Sequence, residues 1–266
     1  MRDRLAGLSP RRRVFVLTVG ALALLLVGAV AGRVLIARSS GADAVAQDRP
    51  GPVLLVPGYG AGTGGLRVLA ARLRSAGREA VVVEMPGDGT GDLREQARVL
   101  DRRVSEALRG GAPSVDVVAH SAGGVVARLW VREHDGAGKA RRIVTLGSPH
   151  QGADLAAAGA ALAPGACPEA CRQLVPGSGL LRELGDRAPD PPRWVSVWTD
   201  DDETVRPEAS RLPGATGVGV QEVCPDARVG HTGLPADPLV TAIVTRALDA
   251  GPPSPPGRGD CGAPRG

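Results

Sequence analysis

The sequence predicts an α/β fold in which a mostly parallel β-sheet is covered by helices on both faces. Short apolar segments with strand character alternate with segments of helical spacing, as they do around a parallel sheet. The strand segments are apolar almost throughout, which is typical of strands that are buried on both faces. They are residues 52–58, 79–87, 114–119, 141–147, 194–198 and 218–223.

Four segments between or after these strands are predicted to be helical. The first has apolar residues at 66, 69, 70 and 73 and ends at Gly77. The second has apolar residues at every third or fourth position, which places them on one face of a helix. These residues are Leu93, Ala97, Leu100, Val104 and Leu108. The other two helices are expected at about 122–133 and 238–248.

Residues 148–193 interrupt this alternation with a sequence rich in Ala, Gly and Pro. A long insertion between two strands usually forms a cap or lid over a site, and a loop without a function is the alternative. We therefore expect one folded domain over residues 52–250, with this insertion as its cap. The Pro- and Gly-rich tail at 251–266 is predicted to be disordered.

Residues 1–38 are predicted to direct the rest of the chain out of the cytoplasm. Five arginines precede an uncharged run of 18 residues, Val14 to Ala31, which as a helix would be roughly 27 Å long and would nearly span a bilayer core. Arginines before such a run favour a cytoplasmic N-terminus and a single N-terminal membrane helix, a signal anchor. A signal peptide that is cleaved near residues 29–31, which would make the protein secreted, and a twin-arginine export signal are the alternatives. Residues 39–51 are then a linker.

The basic character of the chain is confined to this leader. The sequence has 32 basic and 28 acidic residues, and without residues 1–13 each number falls to 27. The aromatic content is only 2%. A neutral body with few aromatic residues argues against nucleic acid as a partner.

All four cysteines follow the leader, as expected for a domain that is exposed to an oxidising compartment. They are Cys167, Cys171, Cys224 and Cys261. We expect disulfides between Cys167 and Cys171 and between Cys224 and Cys261. A zinc site at the first pair is the alternative, although a second pair at metal-ligand spacing is missing from the sequence.

The segment Val115 to Gly124 predicts a reactive serine. It reads VDVVAHSAGG, a strand that passes directly into a helix with small residues on both sides of Ser121. Such an abrupt turn exposes the serine hydroxyl at the carboxyl end of the sheet. The amide of Ala122 then lies at the helix N-terminus, where N–H groups are unpaired and negative charge is stabilised.

Several stretches together resemble the α/β-hydrolase superfamily, and specifically bacterial secreted lipases and esterases. They are VLLVPGYG at 53–60, the AHSAGG turn, VTLGSPHQG at 144–152, the acidic segment after WVSVW, and VGHTGL at 229–234. The resemblance extends over about residues 52–249. The turn departs from the G-x-S-x-G pattern because Ala119 takes the first glycine position. The resemblance implies an enzyme without a cofactor or a metal ion.

A serine hydroxyl needs a base to accept its proton and a carboxylate to orient that base. Among the four histidines, we expect His231 to be the base, because it follows the last strand in a glycine-flanked loop. His120 is expected to point away from Ser121, and His134 to lie at the surface. His150 lies at the start of the insertion.

The loop after WVSVW supplies the carboxylate. The resemblance implies an acid with a valine three residues later, which selects Asp202, and Asp200 is the alternative. The order Ser121, Asp202, His231 is the order that this fold uses.

The negative charge that develops on a carbonyl oxygen during acyl transfer needs donors that are already in place. We expect these donors to be the backbone amides of Ala122 and Tyr59, the latter in the glycine turn after the first strand. The alternative is that this turn has no catalytic part. A P-loop is excluded because the sequence lacks the Lys-Ser/Thr ending.

These residues predict a serine hydrolase of carboxylic esters, a lipase or esterase that acts outside the cytoplasmic membrane on a small-molecule or lipid ester. An acyltransferase with the same three residues is one alternative. A catalytically inactive, surface-anchored binding module is the other.

Overall fold

The structure, a computed structural model, describes Arg11, Val19, residues 45–251, Gly257 and Cys261. Its centre is a sheet of six strands in which every paired strand is parallel to its neighbour. The strands are β1 (Val53–Val56), β2 (Ala80–Val82), β3 (Val115–His120), β4 (Ala140–Leu146), β5 (Arg193–Trp198) and β6 (Thr216–Gly219). Their order in the sheet is β2-β1-β3-β4-β5-β6. The predicted parallel α/β architecture is confirmed.

Nine α-helices lie within residues 45–251. They are α1 (Gly64–Ser75), α2 (Leu93–Arg109), α3 (Ala122–Glu133), α4 (Asp154–Leu162), α5 (Glu169–Gln173), α6 (Gly179–Leu184), α7 (Pro207–Ser210), α8 (Val220–Val223) and α9 (Pro238–Ala247). The four helices that the sequence predicts correspond to α1, α2, α3 and α9.

The apolar residues of the sheet divide between two cores, because successive side chains of a strand point to opposite faces. In β1, Leu54 and Val56 pack into the core that contains the apolar faces of α2 and α3. Val53 and Leu55 pack into the other core, with α1 and α9. Both faces of the sheet are therefore covered, which accounts for the near-continuous apolar character of the strands.

Two predicted strand segments are only partly strands. In the segment 79–87, only Ala80–Val82 forms a strand. In the segment 218–223, β6 ends at Gly219 and Val220–Val223 forms α8. Glu222 Oε2 accepts a hydrogen bond from the Gly219 amide at 3.2 Å, and the Cys224 amide donates to the Val220 carbonyl at 2.9 Å. These bonds satisfy backbone groups within a helical turn, so the apolar valines serve a helix rather than a strand.

The insertion at 148–193 contains α4, α5 and α6. The two short helices are fixed to the body: the Ala170 amide donates to the Thr90 carbonyl at 3.1 Å, and the buried Arg128 of α3 donates to the carbonyls of Leu184 and Gly185. By contrast, α4 has no buried residue. Leu155 and Leu162 on α4 are 66% and 86% exposed.

The predicted disulfides Cys167–Cys171 and Cys224–Cys261 are both formed. Among the residues that the structure describes, no helix has the length and apolar character needed to cross a membrane. The predicted leader helix at 14–31 lies, apart from Val19, outside the described residues, as does most of the tail at 251–266.

A buried ion cluster lies near the amino end of β3. Asp116 is fully buried and accepts hydrogen bonds from Arg141, at 2.6 and 3.0 Å, and from Arg78, at 2.6 Å. Arg141 also donates to the carbonyl of Leu248, just after α9. This cluster ties two strands and the end of the last helix together.

Candidate active site

Ser121 lies in the turn between β3 and α3, at the carboxyl end of the sheet. Its φ of 53° and ψ of −129° are unusual for a residue with a side chain, because L-residues rarely adopt positive φ. Such a conformation costs of order 1–3 kcal/mol and persists only where the surroundings enforce it. In this strained turn, the Ser121 hydroxyl lies beyond the carboxyl end of β3.

The turn is as crowded as the sequence predicts. A Cβ added to Gly123 would lie 2.6 Å from the carbonyl oxygen of Pro57 and 2.7 Å from that of Val56. Ala119 is fully buried and lies in register between Val56 of β1 and Thr145 of β4. A small residue at each of these positions lets α3 start directly beside the end of β1.

Ser121, His231 and Asp202 form a continuous hydrogen-bonded chain. His231 Nε2 lies 2.9 Å from Ser121 Oγ, and His231 Nδ1 lies 2.8 Å from Asp202 Oδ2. Because an ionised carboxylate only accepts, Nδ1 carries the proton and Nε2 accepts from the serine hydroxyl. The side chains of Asp202 and His231 are only 1% and 6% exposed, so the hydrogen bond between them is largely shielded from water.

Asp202, rather than Asp200, is the carboxylate that the fold brings to His231. Its second oxygen, Oδ1, accepts hydrogen bonds from the backbone amides of Thr204 at 2.9 Å and Val205 at 2.7 Å. Asp200 is exposed, and its amide donates to Gln221. The tight turn after β5 therefore fixes the Asp202 carboxylate in one orientation.

The backbone of His231 is held on both sides by two residues, Glu203 and His120, whose part in the site is not evident from the sequence. Its amide donates to Glu203 Oε2 at 2.9 Å. Its carbonyl lies 3.0 Å from His120 Nε2, which must carry the proton of this bond because a carbonyl only accepts. The His120 and His231 rings also pack together, with centroids 4.9 Å apart.

The remaining histidines are also described, and none of them forms the hydrogen bond to Ser121. Burial and the nearby His231 lower the pKa of His120 to about 4, so this ring is neutral near pH 7. Burial and the charge of Arg128 lower the pKa of His150 to about 3. His134 is half-buried at the end of α3.

The glycine turn after β1 packs directly against Ser121. A Cβ added to Gly58 would lie 2.8 Å from the Ser121 Cβ and 3.4 Å from its Oγ. Tyr59 follows in a short 3-10 turn, Tyr59–Ala61. Ala122 is the first residue of α3. Both residues selected as oxyanion donors therefore lie immediately beside the serine in sequence or in space.

Two cavities adjoin Ser121. The first, of about 310 Å³, is lined mostly by the insertion, including α4, both cysteines of the Cys167–Cys171 bridge and Leu174. The second, of about 390 Å³, is lined by the glycine turn together with His120, His231 and Thr232. Tyr59, Ser121 and Thr204 line both cavities. In the described part of the chain, no cluster of three or more His, Cys, Asp or Glu residues could hold a metal ion.

Known proteins share the fold that holds these residues. A family model described as a PGAP1-like alpha/beta domain matches residues 85–162. Aspergillus fumigatus lipase B matches with a TM-score of 0.63 and 18% identity, over 77% of this chain and 54% of that one. The mature form of the Bacillus licheniformis lipase BlEst2 matches with a TM-score of 0.62 and 17% identity, over 75% of this chain and 92% of that one.

The chain has the α/β-hydrolase fold. A metagenomic carboxyl esterase has the same fold, with a TM-score of 0.52 and 18% identity over 64% of this chain. The chain spans about half the length of the Aspergillus lipase but most of the mature Bacillus lipase. The α/β-hydrolase fold accounts for the position of Ser121 at the carboxyl end of the sheet, and it is the fold that the sequence motifs indicate.

Proposed function

We propose that the protein is a serine hydrolase of carboxylic esters, of the lipase or esterase type. The observation that carries the proposal is the unbroken hydrogen-bonded chain from Ser121 Oγ through His231 to Asp202, with distances of 2.9 and 2.8 Å. The α/β-hydrolase fold, shared with proteins described as lipases and as a carboxyl esterase, supports it.

The arrangement fits a two-stage acyl transfer. In the first stage, His231 Nε2 accepts the Ser121 proton while Oγ attacks the ester carbonyl. His231 then gives that proton to the departing alcohol, which leaves an acyl-enzyme. In the second stage, His231 accepts a proton from water, the resulting hydroxide attacks the acyl-enzyme, and the proton returns to Ser121. Asp202 stabilises the imidazolium that forms in both stages.

The amides of Ala122 and Tyr59 would stabilise the oxyanion. Ala122 is the first residue of α3, whose dipole favours negative charge at this end. Tyr59 belongs to the turn that packs against Ser121. Loss of one donor of this kind typically slows the reaction about 10²- to 10³-fold.

The proposal extends to the cap and to the place of action. Residues 148–193 would form the lid, because α4 borders a cavity at Ser121 while burying none of its own residues. Two disulfides are consistent with action outside the cytoplasmic membrane. Attachment through a helix at 14–31 belongs to the same proposal.

The test is labelling with a fluorophosphonate probe, followed by turnover of p-nitrophenyl esters with and without an added alcohol. We expect the parent protein to be labelled and to release p-nitrophenol, and Ser121→Ala to do neither. Absence of labelling and turnover in the folded parent would contradict the proposal and favour a binding module. Transfer to the alcohol in preference to water would instead identify an acyltransferase.

A further inference from the structure

The two cavities at Ser121 differ in their relation to the base. His231 lines the larger cavity, beside the glycine turn, but does not line the smaller cavity under α4. We call the larger one the glycine cavity and the smaller one the cap cavity. Because Ser121, Tyr59 and Thr204 line both, an ester bound at the serine can extend one part into each.

The position of His231 determines which part of the ester enters which cavity. In the proposed reaction, His231 must donate a proton to the oxygen of the leaving alcohol, and proton transfer requires hydrogen-bond reach. The alcohol therefore lies on the side of Ser121 where His231 is found, which is the glycine cavity. The acyl chain then points away from His231, into the cap cavity.

The lining of the cap cavity matches an aliphatic chain. It includes Leu155, Ala156, Leu174 and Val205, and the Cys167–Cys171 bridge forms part of its wall. Burial of aliphatic carbon in such an apolar lining is favourable, because it removes apolar surface from water. A volume of about 310 Å³ is at the lower end of the range for ligand pockets, which favours a chain of moderate length.

The glycine cavity has room for a larger alcohol than methanol or ethanol. Gly58, Gly62, Gly64 and Gly65 line it without side chains, and its volume is about 390 Å³. Its polar lining consists of hydroxyl groups, histidine rings and backbone, and no Asp, Glu, Lys or Arg is among its lining residues. A charged alcohol would lose hydration there without gaining a counter-charge from the lining.

We propose that the substrate is an ester of an aliphatic acid of moderate length with a bulky, uncharged alcohol, such as a polyol. The glycine cavity binds the alcohol, and Gly62 and Gly64 determine the size that is accepted. Gly159 on α4 limits the acyl chain in the cap cavity. This proposal rests on the proposed ester hydrolysis.

Three glycine variants test the assignment. A Cβ at Gly62 or at Gly64 would contact nothing within 4 Å, and neither residue has positive φ, so Gly62→Leu and Gly64→Leu fill space without straining the backbone. Gly159→Leu is the matched variant in the cap cavity, where a Cβ would lie 3.6 Å from Cys171 Sγ, an ordinary contact distance. Fluorophosphonate labelling of each variant shows whether its reactive serine is intact.

The substrates are the butyrate and octanoate esters of methanol, glucose and choline. We expect the parent to prefer glucose over choline esters. Gly62→Leu and Gly64→Leu should lower kcat/KM for glucose esters about tenfold or more relative to methyl esters. One additional methylene group in a pocket can produce an effect of this magnitude. Gly159→Leu should instead lower the ratio of octanoate to butyrate turnover and leave the glucose-to-methyl ratio unchanged.

The assignment of the cavities would be wrong if Gly159→Leu changed the glucose-to-methyl ratio while Gly62→Leu and Gly64→Leu changed the octanoate-to-butyrate ratio. It would also be wrong if all three variants were labelled normally and kept both ratios of the parent protein. If the parent protein prefers choline esters to glucose esters, the proposal that the alcohol is uncharged is wrong. These outcomes differ from failure of the proposed function, in which the parent neither labels nor hydrolyses any of the esters.

Discussion

Two carboxylates are buried at opposite ends of the same sheet, and their partners are of different kinds. Asp116, near the amino end of β3, is paired with two arginines, Arg141 and Arg78. Asp202, at the carboxyl end after β5, is paired with a histidine and two backbone amides. Both side chains are at most 1% exposed.

The same chemical group thus has a structural setting at one end of the sheet and, in the proposed reaction, a catalytic one at the other. The two arginines provide counter-charges for Asp116, so this cluster is a structural ion network. In the proposed reaction, the pair of Asp202 and His231 accepts and returns a proton. We expect substitutions at the amino end to affect folding and those at the carboxyl end to affect rate.

The largest effect is expected from Asp202→Asn. An amide cannot hold the His231 ring in the tautomer that accepts the serine proton, so kcat should fall roughly 10³- to 10⁴-fold. The measurement is ester turnover together with the free energy of unfolding. Asp200→Asn is the matched control and should keep parental turnover, whereas loss of turnover in this variant alone would show that the carboxylate is misassigned.

Asp116→Asn is expected to have a large effect on stability and little effect on turnover. Removing the charge leaves Arg141 buried without its carboxylate, which should lower the free energy of unfolding by about 3–5 kcal/mol. Urea denaturation measures this loss. At temperatures where the variant remains folded, its kcat should stay near the parental value, and a specific loss of kcat would break the division between the two ends.

The carboxyl end should also be the more sensitive to acid, because it contains two histidines that are buried in the neutral form. The pKa of His150 is lowered to about 3 and that of His120 to about 4. The unfolded chain therefore binds protons that the folded chain does not, and stability falls as the pH drops below the unfolded value of about 6.5.

For His150 this linkage amounts to about 2 kcal/mol between pH 7 and pH 5. The loss should continue until the pH reaches the folded pKa. Urea denaturation at both pH values, compared with His150→Asn, isolates the contribution. If the free energy of unfolding of His150→Asn depended on pH as strongly as that of the parent, the His150 ring would not be buried in the neutral form.

The smallest effect is expected at Glu203, which holds the amide of His231 and touches neither Ser121 nor the ring nitrogens. Glu203→Ala should lower kcat about tenfold, the cost of one hydrogen bond to a charged group, and leave KM unchanged. Glu203→Gln keeps an acceptor oxygen and should restore most of kcat. An equal rise in KM, or no rescue by glutamine, would show that Glu203 does not position the base.

The sequence predicts those parts of the site that depend on residues close together along the chain. Ser121 was found because a strand, a crowded turn and a helix leave a local pattern. The position of His231 after the last strand indicates the base, whereas Asp202 is selected over Asp200 only by the resemblance to lipases and esterases. The structure brings all three side chains together.

The contacts that depend on tertiary packing could not be read from the sequence. In the sequence, Glu203 is one of several acidic residues after WVSVW. In the structure, its carboxylate accepts a hydrogen bond from the backbone amide of His231, 28 residues further along the chain. His120 was expected only to point away from the serine, and its bond to the His231 carbonyl has no sequence signature. In α8, apolar residues that suit a strand form a helical turn because Glu222 satisfies the Gly219 amide.

Gly147, the first residue after β4, has a φ of 55°, and a Cβ on it would lie 3.0 Å from Asp202 Oδ2 and 3.2 Å from His231 Nδ1. A methyl group there would press on the hydrogen bond between acid and base without altering any reacting atom. Residue 147 thus offers a means of slowing the proposed hydrolase while Ser121, His231 and Asp202 all remain. Such a slowed form would be suited to capturing a bound ester for crystallography, where deletion of the nucleophile would forfeit the covalent adduct.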